Sequence, residues 1–281
     1  MKRVAIQGYK GCFHHIAARK YEGADIESAA CDTFRDVARA VERGEVDYGV
    51  MAIENSIAGS ILPNYNILQN CNLHVSGEIC LQIRQNLMVN RGVTLDDIRE
   101  VESHQMALLQ CAEFLDRHHW RLVESTDTAL SAAELQKSGS RHTAAIASSL
   151  AAELFDLDII APDIHTIKSN YTRFLILEAC NRKQFAPEQE VAEGNKASLY
   201  FKIPDRCGSL YQTLGTIEGY GINMTKLQSY PIPTEPWRYL FHVDMRFDSV
   251  ERFREVVEQM RRSGVEVHVY GVYSHAMDNI F

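Results

Sequence analysis

Apolar residues in the first 180 positions fall into short runs that switch between two periods. Val4-Ala5-Ile6 has strand length and is closed by Gly8 and Gly11. Phe34, Val37, Ala38 and Val41 share one helical face, and Gly44 stops it. Residues 48–53 are a further apolar run of strand length, and residues 79–89 read as strand. Thr94 and Asp97 have the spacing of a capping box for a short helix. From Val101 the chain leads into a helix with Leu108, Cys111 and Leu115 on one face. Then come strand at 122–123, helix at 128–136 ended near Gly139, and strand at 144–146. Helix at 150–155, strand at 159–161 stopped by Pro162, and a last strand at 174–177 complete the series. The rhythm predicts an α/β unit of mainly parallel sheets covered by helices.

Residues 181–196 are polar, contain one Pro and one Gly, and read as a linker. Beyond them the pattern changes. Leu199, Phe201 and Ile203 alternate as a strand, and a helix follows over 209–218. Strands at 222–230 and 237–247, a helical face of Val250, Phe253, Val257 and Met260, and an alternating strand at 265–269 follow in turn. The order βαββαβ is the ferredoxin-like arrangement. The reading is a first domain over 1–180, a linker over 181–196 and a second domain over 197–281.

Composition narrows the partners. With 281 residues, two domains are expected, and 46% hydrophobic with 23% charged residues is ordinary for soluble globular protein. The net charge of −8 argues against a nucleic-acid or anionic-membrane surface, and it requires any site for an anion to be locally positive. Seven scattered cysteines without a CxxC pair form neither a disulfide framework nor a zinc site, which fits reduced thiols in the cytoplasm. The N-terminus runs directly into a strand rather than a signal peptide, and no stretch reaches the roughly 18 apolar residues of a membrane span.

Several polar clusters could carry chemistry. Ser169-Asn170-Tyr171-Thr172-Arg173-Phe174 opens a strand, where α/β folds place ligand groups. Arg173 suits a carboxylate and Thr172 offers a hydroxyl, though a surface loop with an Arg–Asp pair explains the same residues. Glu54-Asn55-Ser56 bunches donors where a strand ends, which suits an anion and equally suits turn and cap chemistry. Ser103-His104 sits between strand and helix, as an acid or as a capping neighbour. Gly8-Tyr9-Lys10-Gly11 lacks both phosphate-loop spacings, the adjacent pairs His14-His15 and His118-His119 diverge on a helix, and no GxSxG elbow occurs. No metal or nucleotide cofactor is expected.

Together and in this order, these segments resemble the prephenate dehydratase family. The glycine motif is Gly8-Tyr9-Lys10-Gly11-Cys12-Phe13 with Ala17-Ala18; Ile53-Glu54-Asn55-Ser56 with Gly59 follows. Next come Glu100-Val101-Glu102-Ser103-His104 with Ala107-Leu108 and Gln110-Cys111, then the run from Ala144 to Ser148, and Thr172-Arg173-Phe174 preceded by Asn170. The C-terminal unit resembles an ACT domain, with Gly208-Ser209-Leu210 opening a helix and Gly221-Ile222-Asn223 entering a strand. Tyr9, Cys12, His14, Gln105 and Met106 depart from the family pattern, and Gln228-Ser229-Tyr230-Pro231 replaces Glu-Ser-Arg-Pro.

The resemblance implies a two-lobed catalytic domain like type II periplasmic binding proteins, with the site in the cleft, plus the ACT domain. It implies conversion of prephenate to phenylpyruvate in L-phenylalanine synthesis, without a cofactor. Arg173 would grip the side-chain carboxylate, and Thr172 would donate to the departing hydroxyl. Asn55, Ser56, Asn170 and Ser103 would supply neutral donors, His104 would act behind them, Phe174 completes the signature, and Glu54 would orient Arg173 or the backbone. L-Phenylalanine would act as allosteric effector in a homodimer or homotetramer. Gly208, Ser209 and Leu210 would receive its carboxylate, Asn223 its ammonium, and Leu210 and Leu227 its ring, with Gln228 and Ser229 beside them and inhibition weaker or altered by Gln228 and Tyr230. The rivals are arogenate dehydratase and a non-catalytic small-anion sensor.

Overall fold

Val4, Ala5 and Ile6 are completely buried, and around them the computed structural model, which describes residues 1–180, 194–232 and 234–276, builds its first sheet. The chain runs β1 (Lys2–Gln7), α1 (Phe13–Glu22), β2 (Ile26–Cys31), α2 (Phe34–Glu42), β3 (Tyr48–Asn55), β4 (Gly59–Ser60), α3 (Leu62–Asn70) and β5 (Leu73–Gln82). It then crosses to a second lobe with β6 (Asn86–Val89), β7 (Glu100–His104), α4 (Gln105–Gln110), α5 (Ala112–Leu115) and β8 (Arg121–Ser125). That lobe is completed by α6 (Thr128–Ser138), β9 (Thr143–Ala147), α7 (Ser149–Leu154) and β10 (Asp158–Ala161). β11 (Tyr171–Ala179) returns to the first sheet. A third sheet follows: β12 (Lys196–Lys202), α8 (Ser209–Gly219), β13 (Asn223–Pro231), β14 (Tyr239–Arg246), α9 (Val250–Arg262) and β15 (Glu266–Tyr273).

The strand orders are β2-β1-β3-β11-β5, β10-β6-β9-β7-β8 and β13-β14-β12-β15. The expectation of mainly parallel sheets is corrected. In the first sheet β1 pairs in parallel with β2 and β3, but β11 is antiparallel to both β3 and β5. In the second, β7 is parallel to β8 and β9, while β6 is antiparallel to β9 and β10. The cause is the double crossing. A chain that leaves one lobe through β5 and comes back through β11 inserts its return strand against the local direction. Residues 79–89 accordingly form two strands in two sheets rather than one, with the crossing at 83–85. The outgoing and returning segments hold each other: the Ile83 amide donates to the Asn170 carbonyl at 2.8 Å, and Gln82 Nε2 to the Lys168 carbonyl at 2.8 Å.

Local signals otherwise act as their chemistry dictates. Both arms of the Thr94/Asp97 capping box are present, although the turn they cap is only Leu95–Asp97. Thr33 caps α2 through the Asp36 amide, and Gly139 ends α6 in the left-handed region. The pattern reading passes over β2. β2 is a half-exposed edge strand with little contrast, and α3 is polar with Pro63 in its first turn. The third sheet covers its helices with one cluster around Phe201, Val243, Met245 and Phe253. Its other face lies on the first lobe, where Tyr270 and Tyr273 pack with Tyr65, Leu175 and Leu177. The approach is close enough that a Cβ on Gly271 would stand 1.9 Å from the Val75 carbonyl, so only glycine fits there. Lys196, at the end of the polar stretch read as linker, is instead the first residue of β12, buried with its charge paired to Glu78; residues 181–193 of that stretch lie outside the described residues.

Candidate active site

Two rungs of one ladder organise the candidate residues. β11 lies between β3 and β5, and its register pairs Thr172 with Asn55 and Arg173 with Glu54. Successive side chains of a strand point to opposite faces. Phe174 and Ile176 therefore join the core under α1, while Leu175 and Leu177 join the core with Tyr65 and the third sheet. Thr172 shares its face with Phe174, and Arg173 with Leu175. Directly beyond, a bulge moves the pairing from Arg173 with Glu54 to Phe174 with Ala52, leaving Ile53 as the extra residue. Bulges re-aim side chains, and here Ile53 is left in the second core while Ala52 joins the first.

Asn55 is fixed at both ends. Its Oδ1 accepts from the amides of Ile57 (3.0 Å) and Ala58 (2.9 Å), which turns Nδ2 toward Asn170 Oδ1 at 2.7 Å and Thr172 Oγ1 at 3.0 Å. Thr172 is thus the acceptor, and among the described residues no acceptor takes its own proton. Asn170 is completely buried, and its Nδ2 has no hydrogen-bond partner among the described residues. An unpaired buried donor costs about 1–3 kcal/mol, which an accepting group at this corner would relieve.

The remaining predicted donors are committed elsewhere. The Ser56 hydroxyl donates to the Ser169 carbonyl at 3.1 Å and accepts from the Tyr171 amide at 2.9 Å, clamping the start of β11. Ser103 is fully buried and donates to the Ile146 carbonyl at 2.6 Å. In this structure both hydroxyl protons are engaged by backbone carbonyls. His104 caps α4, its Nδ1 accepting from the Met106 amide at 3.2 Å, which leaves the proton of the neutral ring on Nε2. Phe174 is 1% exposed and lies in the core beneath the rung, with the His14 ring edge-on at 5.0 Å. Burial lowers His14 to about 3, so it is neutral.

Arg173 lies apart from the other candidates. Instead of opening onto the cleft, its guanidinium is buried on the opposite face from Thr172. It meets Glu78 Oε2 at 3.1 Å, Glu54 Oε2 at 3.3 Å and, from the third sheet, Asp244 Oδ2 at 2.5 Å. The Arg–Asp pair that offered the plainer explanation of the segment is present, though inside the molecule. Burial alone would push Asp244 up; Arg173, with Lys196, outweighs it and holds the carboxyl below its ordinary value. Lys196 binds Glu78 at 2.8 Å and Lys226 binds Glu54 at 2.8 Å. Three cations face three carboxylates, so the cluster has no net charge to lend an anion. Glu54 is the most exposed of the three carboxylates around Arg173.

Across from the rung, the two lobes touch. Ser148 Oγ donates to the Gly11 carbonyl at 2.5 Å. Gly8 has a φ of 95°, and a Cβ there would stand 2.6 Å from Asp127 Oδ2. Asp127 caps α6 through Oδ1, and burial pushes its carboxyl up. Burial, reinforced by Asp127, pushes the Cys12 thiol up to about 12. α1 starts at this contact, with the His14 and His15 amides turned toward the Cys12 sulfur. Asp127, Glu78, Lys196 and Asp244 are absent from the sequence-based candidates. Asp127 had a signal, a polar residue just before a helix; Glu78 and Asp244 had another, a carboxylate between apolar neighbours inside a strand.

The effector residues divide in the same way. Gly208 caps α8 with a φ of 82°; Ser209 is buried with Oγ unpartnered among the described residues, and Leu210 packs against the third core. Asn223 is exposed at the start of β13, and Leu227 is 43% exposed on the strand face shared with Val243. Gln228 points the other way, accepting from Ser60 of the first lobe at 3.2 Å, and Ser229 is exposed.

The prephenate dehydratase family model matches residues 4–182. The arogenate dehydratase/prephenate dehydratase 2 of Arabidopsis thaliana, a chloroplastic protein, is 37% identical over 254 residues, covering 86% of this chain and 64% of that protein. This chain therefore spans less than two thirds of that relative. GqqA, described as a novel type of quorum-quenching acylase, has a solved structure that covers 97% of both chains with a TM-score of 0.84 and 27% identity. The prephenate dehydratase of Arthrobacter aurescens in complex with L-Phe gives a TM-score of 0.84 at 24% identity, covering 98% of this chain and 90% of that one, a likeness of fold.

Proposed function

The chain belongs to the prephenate dehydratase family, and on that premise we propose that it converts prephenate to phenylpyruvate. The bond from the ring to its carboxylate breaks, the group leaves as carbon dioxide, and the electron pair enters the ring. The carbon–oxygen bond opposite breaks, and hydroxide leaves with one added proton as water. The observation that carries the reading is the Thr172 hydroxyl, held as an acceptor by Asn55 with its own proton uncommitted. Such a donor stabilises charge as it develops on the leaving oxygen and is worth about 3 kcal/mol. Asn170 Nδ2, buried and unpaired, is the second donor.

The test is the appearance of phenylpyruvate, read by its absorbance in alkali, with prephenate and arogenate compared side by side. Arogenate carries the same leaving groups, and the Arabidopsis relative bears both names. Preference for prephenate is expected. An acyl-transfer reading finds weak nucleophiles here: the Cys12 thiol is held protonated, and Ser103 donates to a carbonyl.

The C-terminal unit is read as the sensor for L-phenylalanine, binding between paired protomers. The support is the start of α8, the exposed Leu227, and the L-Phe complex of the Arthrobacter protein. Calorimetry on the intact chain tests it; no heat at millimolar phenylalanine would refute it. Seven free thiols suit a reducing compartment, which supports a cytoplasmic placement. Among the described residues no helix is long and apolar enough to cross a membrane, and no group of three or more His, Cys, Asp or Glu could hold a metal ion.

A further inference from the structure

The two rungs that carry Thr172 and Asn55, beside the crossing between the lobes, are gripped from behind by the third sheet. Arg173, next to Thr172, meets Asp244 of β14 at 2.5 Å. Glu54, next to Asn55, meets Lys226 of β13 at 2.8 Å. We propose that Asp244 and Lys226 are positioning residues for the dehydration, fixing the Thr172–Asn55 rung through Arg173 and Glu54. The inference rests on the proposed function and deepens it.

Three features give it physical force. The rung lies where β3 ends and β11 begins, and strand ends open readily unless something holds them. The anchors are buried and tightly enclosed: the Arg173, Asp244 and Lys226 side chains are 10%, 7% and 8% exposed. Separating such charges leaves them uncompensated, so the pairs tolerate little displacement. Finally, the Arg173 fork reaches Glu78, Glu54 and Asp244 at once, which fixes its direction as well as its place. A shift of the third sheet is therefore passed to the catalytic hydroxyl, where a 1 Å misplacement is enough to cost about 100-fold in rate.

The route begins on the effector strand itself. β13 carries Leu227 and Ser229 on one face and, on the other, Lys226 and Gln228, both in contact with Ser60 of the first lobe. Lys226 also lies 5.4 Å from the centre of the Tyr65 ring. Whatever moves β13 moves the partner of Glu54.

The test uses the full chain with Asp244→Asn and Lys226→Gln. Lys226 pairs with a carboxylate that is 36% exposed, so its replacement is the milder one should Asp244→Asn not fold. With prephenate, each variant is expected to lower kcat about tenfold and change KM by less than about twofold, with Lys226→Arg restoring kcat. Amide exchange supplies a readout independent of turnover. The Ser56 and Tyr171 amides, which hold the rung through the Tyr171 carbonyl and Ser56 Oγ, should exchange about tenfold faster, with Val50 and Ile176 unchanged. An unchanged kcat in both variants, or acceleration spread equally to Val50 and Ile176, overturns the inference. Should the wild-type chain not turn over prephenate at all, the proposed function falls, and the exchange pattern alone decides whether the third sheet holds the rung.

Discussion

Thr172 and Arg173 are covalent neighbours whose side chains serve opposite faces of one sheet. Thr172 Oγ1 accepts from Asn55 on the face shared with Phe174, and Arg173 binds Asp244 on the side of the C-terminal sheet. One hydroxyl keeps its proton uncommitted among the described residues, and the neighbouring guanidinium ties the first lobe to the C-terminal sheet.

The hydroxyl at 172 is expected to act on kcat. Thr172→Ala should lower kcat about 100-fold with little change in KM, and Thr172→Ser should keep most activity. Asn55→Asp should be similarly damaging, because a carboxylate takes the Thr172 proton instead of supplying a donor. Steady-state kinetics check all three; a Thr172→Ala enzyme with near-normal kcat would remove the leaving-group role.

Arg173→Lys separates two readings of the same residue. A substrate grip predicts a raised KM and unchanged stability. The ion network predicts KM within about twofold, and an unfolding free energy lower by about 2 kcal/mol, because an ammonium cannot span Glu78, Glu54 and Asp244. Urea titration beside kinetics distinguishes them.

Acid should loosen the contact between the third sheet and the first lobe. Burial lowers His242 to about 4, with Asp244 opposing the shift only in part, and its ring packs on Tyr65 at 4.6 Å. A histidine whose folded pKa is depressed binds its proton mainly in the unfolded chain. Its neutral form therefore stabilises the fold above the ordinary value of 6.5, and that stability is lost as pH falls toward 4. Between pH 7 and pH 5 the loss is about 2 kcal/mol. Denaturation at both pH values should show that much more acid sensitivity in wild type than in His242→Gln; equal sensitivity would place the titration elsewhere.

Cysteine labelling probes the seam between the lobes. At pH 8, alkylation should modify the exposed Cys207 readily and leave Cys12, whose thiol burial pushes up to about 12, unmodified in the folded chain. Mass spectrometry of the labelled peptides reads this directly. Fast modification of Cys12 would mean that the lobes part at Gly8 and Gly11.

By itself the sequence determined the elements whose apolar period is strong and whose ends carry their own stop signals. α2 between Thr33 and Gly44, α6 between Asp127 and Gly139, and the βαββαβ order of the C-terminal unit are of this kind, because cap and turn chemistry acts over three or four residues. It also marked Asn55, Asn170 and Thr172 as polar groups at strand ends. Only the tertiary structure decided that β11 runs antiparallel between β3 and β5, since strand direction depends on where a chain returns after crossing lobes. It likewise decided which way the neighbours face. A bulge at Ile53 shifts the phase by one residue, and nothing in the local pattern of β3 announces it. Above all it decided the charge of the site. Arg173, Asp244, Glu78 and Lys196 are far apart in sequence, and whether an arginine grips a substrate or a buried carboxylate depends on which groups folding brings within 4 Å of it.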